Sequence, residues 1–380
     1  MKFIPYGHQC IGPDDIAAVD EVLHGEWLTT GPKIREFEDS LSGYVGCKYA
    51  TAVNSGTSAL DISLQALDLP PGAEVITTPF TFVATSNAIL YNHLKPVFVD
   101  IQSHTRNIDP DALEDSITEA TRAIITVDYA GLPCPLDNIR KIAREHDLVL
   151  IEDACHALGA SYRGRRIGTL ADMTVFSFHP VKAITTGEGG AVVTDDRNLD
   201  NRFRILRSHG IDREAGGKFD GGAGWGYDML YLGRNYRMTD IQAALGFSQL
   251  AKLDAFLARR REIAALYTDL LVDTPQIEVP EVPPGMEHAW HLYTVLLRGV
   301  PRDEFFRFMR SRGVGVNLHY IPVYRFSYYR DAMPKDPSSF PVTEEVYSRI
   351  ISLPLHPSMT DEEVHYVAES AIRGCQLNAR

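Results

Sequence analysis

Lys182 stands in a polar, glycine-rich bend, His179-Pro180-Val181-Lys182-Ala183-Ile184-Thr185-Thr186-Gly187, between two β-rich runs, Thr174–Phe178 and Ala191–Thr194. It is one of only nine lysines and has apolar neighbours with no acidic residue beside it. A lysine that loses hydration there lowers its pKa and becomes an amine nucleophile. A loop lysine capping a turn would use the same residues. Upstream, Leu148–Asp153 is a short apolar run ending in carboxylates, which reads as a buried strand. A carboxylate at the carboxyl end of a central parallel strand lies where α/β folds bind ligands. Asp153 followed by Lys182 is the pair that pyridoxal phosphate (PLP) requires. The amine joins its aldehyde, and the carboxylate keeps its ring nitrogen protonated.

A third stretch adds a place for the phosphate. Tyr49–Val53 reads as a strand and turns through Asn54-Ser55-Gly56-Thr57-Ser58-Ala59-Leu60 into an amphipathic helix. Small residues at such a turn expose backbone N–H groups and hydroxyls at a helix N-terminus. By themselves they could equally be a helix cap. With Ser177 just before the lysine bend, Gly56 and Thr57 make a phosphate cup.

Five stretches carry a resemblance. They are Asn54–Leu60, Thr78-Pro79-Phe80-Thr81-Phe82-Val83-Ala84-Thr85, Glu152–Gly159, Ser177–Lys182 and Gly233-Arg234-Asn235-Tyr236-Arg237-Met238. In this order they resemble the DegT/DnrJ/EryC1/StrS family of PLP-dependent sugar aminotransferases over essentially the whole chain. Within it, Asp128-Tyr129-Ala130-Gly131 and Lys182–Thr186 look closest to the 4-aminotransferases of the pseudaminic acid pathway. In related dehydratases a histidine replaces the lysine; here the lysine is present.

The resemblance implies an α/β fold of aminotransferase type I. That means a large domain with a mostly parallel seven-stranded sheet, one antiparallel strand near the lysine, and a smaller α+β domain. It implies PLP as cofactor, with Lys182 and Asp153 catalytic. Phe82 would stack on the ring, and His156 would contact the ring or its O3′. The other reading of Phe82 is ordinary core, and of His156 a structural histidine. Gly56, Thr57 and Ser177 would hold the phosphate from one chain, and Asn235 from the neighbouring subunit of a homodimer with shared sites. Tyr6 and Trp27–Thr30, Thr29 among them, would approach substrate. Arg237 would steady its loop or meet a carboxylate, although Arg234–Arg237 alone reads as an exposed basic turn. His319 and Tyr320, with Tyr324, would touch nucleotide-sugar phosphates. His179 reads as structural.

The expected reaction moves an amino group from L-glutamate to C4 of a nucleotide-linked 4-keto-6-deoxy sugar. The expected acceptor is UDP-2-acetamido-2,6-dideoxy-β-L-arabino-hexos-4-ulose. A GDP- or dTDP-linked keto-sugar is the alternative. A different class of protein, a PLP-binding regulator without turnover, would keep the same fold.

Bulk properties set limits. The chain has 380 residues, 44% of them hydrophobic, enough for one large and one smaller domain. A net charge of −13 argues against nucleic acid or an anionic membrane as partner. The five cysteines (Cys10, Cys47, Cys134, Cys155, Cys375) have no zinc or disulfide spacing, so no metal site is expected. Neither a long apolar leader nor a membrane-length run stands in the sequence, which predicts a reduced, cytoplasmic protein.

The elements that must position these residues follow from periodicity. Helices are expected at Pro13–Leu23, Ile34–Tyr44, Ser58–Ala66, Thr85–Tyr91, Pro110–Ser116 and Leu136–His146. Strands are expected at Ala50–Val53, Glu74–Thr78, Lys95–Val99, Ala123–Val127, Leu148–Ile151, Thr174–Phe178 and Ala191–Thr194. This alternation implies α/β layers. Asp212–Gly226 reads as a long loop, a lid or a dimer-crossing segment. Helices at Thr239–Leu257 and Arg259–Leu270 link to a proline-marked change of texture, dividing the chain into 1–255 and 256–380. The second part predicts strands at Trp290–Leu297 and Gly315–Leu318, and helices at Asp303–Arg312, Glu344–Leu353 and Asp361–Arg373.

Overall fold

The structure is a computed structural model that describes residues 3–213, 215 and 217–378. Met1, Lys2, Glu214, Gly216, Ala379 and Arg380 lie outside the described residues, two of them within the expected Asp212–Gly226 loop. Seven strands form the main sheet: β1 (Tyr49–Val53), β2 (Glu74–Thr77), β3 (Lys95–Phe98), β4 (Thr121–Val127), β5 (Val149–Asp153), β6 (Met173–Ser177) and β7 (Gly190–Thr194). Their order is β1-β7-β6-β5-β4-β2-β3. Strands β3, β2, β4, β5 and β6 run parallel, and β7 is antiparallel to both β6 and β1. The mostly parallel sheet, with its one reversed strand joined to the Lys182 bend, matches the expectation.

Both faces of this sheet are covered, which is why its strands read as continuous apolar runs. Ile124, Leu150 and Phe176 pack on one face with Phe37 and Leu41 of helix Pro32–Val45. Ile125, Ile151 and Val175 pack on the other with Leu60 and Ile62 of helix Gly56–Gln65. The period-2 alternation along β4 and β5 thus separates two cores.

A further core sits around strand Tyr293–Leu297, flanked by Ile277–Glu278 and Ile350–Leu353. Val295, Ile263 and Tyr267 of helix Leu253–Leu271, Phe305 and Val364 fill it. The N-terminal arm joins this layer, because Ile4 is buried there and bridges Val314.

Four expectations are corrected. Glu344–Leu353 is not one helix: a helix spans Pro341–Arg349, and Ile350–Leu353 is a strand paired with Tyr293–Leu297. The β-branched Ile350 and Ile351 are fully buried there, and cross-strand packing overrides the helical pattern. Gly315–Leu318 forms no continuous strand; only isolated bridges occur, Ile4 with Val314 and Asn317 with Ser352. The arm crosses at Gly315, where a Cβ would lie 2.7 Å from the Ile4 carbonyl. The strand expected from Trp290 begins at Tyr293, since Trp290 adopts φ 51 and breaks the extended run. The helix expected at Thr239–Leu257 is instead two, Asp240–Leu250 and Leu253–Leu271. Within the Asp212–Gly226 run, the Asp220 carboxylate accepts from the amides of Gly222, Gly224 and Gly226 at 2.8, 2.7 and 2.7 Å. Among the described residues no helix is long and apolar enough to cross a membrane.

Candidate active site

A cavity of about 580 Å³ opens at the carboxyl ends of β5 and β6, against the second layer. Lys182, Asp153, Gly56, Thr57 and Ser177 line its floor and one wall. Tyr6, Phe82, His156, His319 and Tyr320 line the rest. Several predicted residues, Trp27–Thr30, Asn235, Arg237 and Tyr324, do not line it in this chain. Asn235 is exposed, its carbonyl accepting from the Asn54 side chain at 3.4 Å. Thr29 bridges Thr239, and Arg237 lines a separate pocket with Thr30, Arg204 and Arg207.

The bend that carries Lys182 is tied down by backbone bonds. The Lys182 amide donates to the His179 carbonyl at 2.9 Å, and the Thr186 amide to the Phe178 carbonyl at 3.0 Å. Burial pushes the Lys182 amine below its usual range, with Cys155 and Asp153 opposing. Asp153 ends β5. Its Oδ2 accepts from the Thr85 hydroxyl at 2.8 Å, and its Oδ1 from the Cys155 amide at 3.2 Å. Thr85 in turn meets the Thr81 hydroxyl at 2.9 Å.

Gly56 opens helix Gly56–Gln65, and the Ser55 side chain caps it by accepting from the Ser58 amide at 3.0 Å. A Cβ at Gly56 would lie 2.9 Å from Ser177 Cβ and 3.2 Å from Cys155 Sγ. The glycine therefore leaves the helix N-terminus open to a ligand, with the Thr57 and Ser177 side chains on the cavity wall beside it. Phe80 and Phe82 alternate as a strand-like run requires. Phe80 is fully buried against Tyr129, whereas Phe82 is 57% exposed at the cavity mouth, so the ordinary-core reading of Phe82 is not what the structure shows.

His156 hydrogen-bonds through Nε2 to the Tyr320 hydroxyl at 3.0 Å. Its ring lies 4.3 Å from that of His291, and the Nδ1 atoms of both have no partner. Burial, then the neighbouring positive groups, hold both imidazoles well below their ordinary pKa, so both are neutral at pH 7. His319 bonds Ser352 through Nδ1 at 2.7 Å, and burial pushes it down to about 3. Its carbonyl accepts from the Tyr129 hydroxyl at 2.6 Å. Tyr324 turns away from the cavity to Glu344, at 2.6 Å. His179 is exposed on the cavity wall.

Sequence reasoning missed three lining groups. Thr85 lay inside a quoted stretch but had no role, because its tie to Asp153 spans two strands. His291 and Asn317 come from the second layer. The run His288-Ala289-Trp290-His291 was a signal for the first of these.

The residues fit a pyridine ring bearing a phosphate. Asp153 has no cationic partner within salt-bridge distance among the described residues, and it faces the cavity. A helix N-terminus and two hydroxyl side chains stand on one side. Among the described residues the His156 Nδ1 has no hydrogen-bond partner, and the Lys182 amine lies on the same cavity. This fold and donor set define a PLP-dependent aminotransferase. The model of the DegT/DnrJ/EryC1/StrS aminotransferase family matches residues 9–372. The spore coat polysaccharide biosynthesis protein SpsC of Bacillus subtilis (strain 168) is 40% identical over 373 residues, covering 97% of this chain and 96% of SpsC. The structure of PseC from Helicobacter pylori, an aminotransferase involved in pseudaminic acid biosynthesis, superposes with a TM-score of 0.94 at 34% identity, covering 99% of this chain and 100% of PseC. The PLP form of the putative sugar aminotransferase Spr1654 from Streptococcus pneumoniae gives 0.92 at 32%, covering 99% of each chain. The chain belongs to the DegT/DnrJ/EryC1/StrS family and is a PLP-dependent sugar aminotransferase.

Proposed function

We propose that the enzyme transfers the amino group of L-glutamate to C4 of a UDP-linked 2-acetamido-2,6-dideoxy-4-keto-hexose, in pseudaminic acid biosynthesis. The observation that carries this reading is the likeness to PseC over 99% of the chain. The local match at Asp128–Gly131 and Lys182–Thr186 agrees with it.

Bound PLP supplies an electron sink for the carbon that gains or loses the amino group. The chain's own residues do the rest. Lys182 Nζ, kept weakly basic by burial, takes a proton from the donor carbon and later delivers one to C4 of the sugar. Asp153, fixed by Thr85 and the Cys155 amide, holds the ring nitrogen's proton. Gly56, Thr57 and Ser177 would bind the phosphate, and Phe82 would cover the ring. His156 is held by Tyr320, and stays neutral beside the ring. Tyr6, His319 and Tyr320 face the sugar nucleotide.

We assign Asn235, Thr29 and Arg237 to the cavity of a second copy, in a homodimer with shared sites. Each lies away from its own chain's Lys182. Nearby, Trp27, Leu28, Trp225, Tyr227 and Leu232 are large apolar side chains more than half exposed, as a face between copies would be. The proposed division into residues 1–255 and 256–380 places the cavity between two domains. Five free cysteines suit a cytoplasmic setting.

The test loads the enzyme with pyridoxamine phosphate and adds the UDP-keto-sugar without glutamate. One turnover should return the PLP spectrum and give one amino-sugar of the expected mass. If only a GDP- or dTDP-linked sugar does so, the pathway reading fails. Lys182→Ala should lower turnover by roughly 10⁴-fold or more, since nucleophile and proton carrier go together. Mixing Lys182→Ala with an inactive Asn235→Ala chain should restore part of the activity in verified heterodimers; no recovery would place each site within one chain.

A further inference from the structure

Arg260 is a cation in an unusual position. It lies on helix Leu253–Leu271, is 1% exposed, and has no carboxylate partner among the described residues. Its guanidinium donates instead to backbone carbonyls from three separate segments. Nη1 reaches Trp290 and Leu355 at 3.1 Å each, and His291 at 3.5 Å. Nη2 reaches the carbonyl of Lys182 itself, at 3.5 Å. Burial pushes its pKa down to about 10, so it remains charged at neutral pH.

Burying a cation without a counter-ion is costly, and an apolar side chain of similar volume would fill this space at less cost. What only a guanidinium supplies is a flat fork of N–H groups that binds several carbonyls at once. Two of those carbonyls belong to residues that line the cavity, Lys182 and His291, and the Leu355 segment is bonded to a third lining residue, Tyr6. One is the bend of Lys182. One precedes strand Tyr293–Leu297 and carries His291. The third follows strand Ile350–Leu353, where the Leu355 amide donates to the Tyr6 carbonyl at 3.0 Å.

We propose that Arg260 is a positioning residue that sets the Lys182 bend in register with the His291 and Tyr6 walls of the cavity. It touches none of the reacting groups. It joins the floor of the cavity, which comes from the main sheet, to the walls, which come from the second layer. This inference rests on Lys182 being the lysine that carries the cofactor.

The experiment uses PLP-loaded enzyme with Arg260→Met and Arg260→Lys. Three quantities are read: kcat and KM for the amino donor, the visible circular dichroism of the bound cofactor, and the thermal midpoint. Arg260→Met should lower kcat by about 10- to 100-fold, the cost of a misplaced reacting group, with KM for the donor changed by less than about threefold. The visible dichroism, which reports how the bound chromophore is held, should fall several-fold although cofactor remains bound. Arg260→Lys should recover part of both signals, since an ammonium can still donate to two of the carbonyls. If Arg260→Met lowers only the thermal midpoint and leaves kcat and dichroism as in the wild type, Arg260 is a structural tie and the proposal falls. If Arg260→Met does not fold, Arg260→Lys decides: reduced kcat and dichroism at an unchanged midpoint support the proposal, and unchanged values overturn it. Borohydride reduction of wild-type enzyme with peptide mapping separates the two levels. A label on a lysine other than Lys182 would remove the underlying assignment, whatever Arg260 does.

Discussion

Glu152 and Asp153 are consecutive residues of β5, and the pleat sends them to opposite faces of the sheet. Asp153 points to the cavity and meets two donors, Thr85 and the Cys155 amide. Glu152 points into the packed face and is fully buried. Its Oε2 accepts from the Thr174 hydroxyl at 2.8 Å. A second buried carboxyl, Asp128, stands close enough for the charge of Glu152 to disfavour its own. Among the described residues the Asp128 Oδ2 and Glu152 Oε1 have no hydrogen-bond partner, and one proton shared between the two carboxyls would satisfy both. Burial raises the pKa of both groups, Glu152 to about 7 and Asp128 well above its ordinary value. The same chemical group therefore serves as a charge for a ligand on one face and as a half-protonated structural pair on the other. Where a carboxyl faces, not which residue it is, decides its role.

The largest difference should appear on changing each carboxyl to its amide. Asp153→Asn should lower kcat by roughly 10²–10⁴-fold, as expected when a buried charge loses a partner worth about 3–5 kcal/mol. Glu152→Gln should leave kcat within about threefold, because the amide can still accept from Thr174 and donate to Asp128. Equal losses in steady-state kinetics would break the distinction between the faces.

Removing one donor from each carboxyl sharpens it. Thr85→Val should cost kcat about five- to tenfold, in line with about 1 kcal/mol for one hydrogen bond. Thr174→Val removes a bond of equal length and should lower stability by about 1 kcal/mol, with kcat unchanged. Urea denaturation read beside turnover would separate the two; a kcat loss in Thr174→Val would show that the two faces communicate.

The last effect concerns pH. In the folded chain the Asp128–Glu152 pair keeps a proton that an unfolded carboxyl releases near pH 4. Its contribution to stability is therefore full below about pH 4 and is lost as pH rises through the folded value near 7. Asp128→Asn supplies an amide donor in place of the shared proton. The decline in unfolding free energy from pH 5 to pH 8, read by urea denaturation, should become shallower, by up to about 1 kcal/mol per pH unit. An unchanged slope would mean that the pair is not the group that titrates.

The glycines, hydroxyls and carboxylates that end strands were legible because local geometry demands them. Gly56 must lack a Cβ beside Ser177, and Asp153 must follow an apolar strand. The seven strands of the main sheet were legible too, since burial on both faces leaves an apolar run whatever the neighbours are. The second layer was harder to read. Ile350–Leu353 followed a helical pattern, and only its pairing with Tyr293–Leu297 makes it a strand. Thr85 and Arg260 carried no signal of their role, because each acts through a residue distant in sequence. Thr85 reaches Asp153 from helix Ala84–Tyr91, and Arg260 reaches Lys182 from a helix of the other layer. Residue type and spacing along the chain determined which groups could do chemistry. The packing of two layers decided which of them meet, because hydrogen bonds form between neighbours in space.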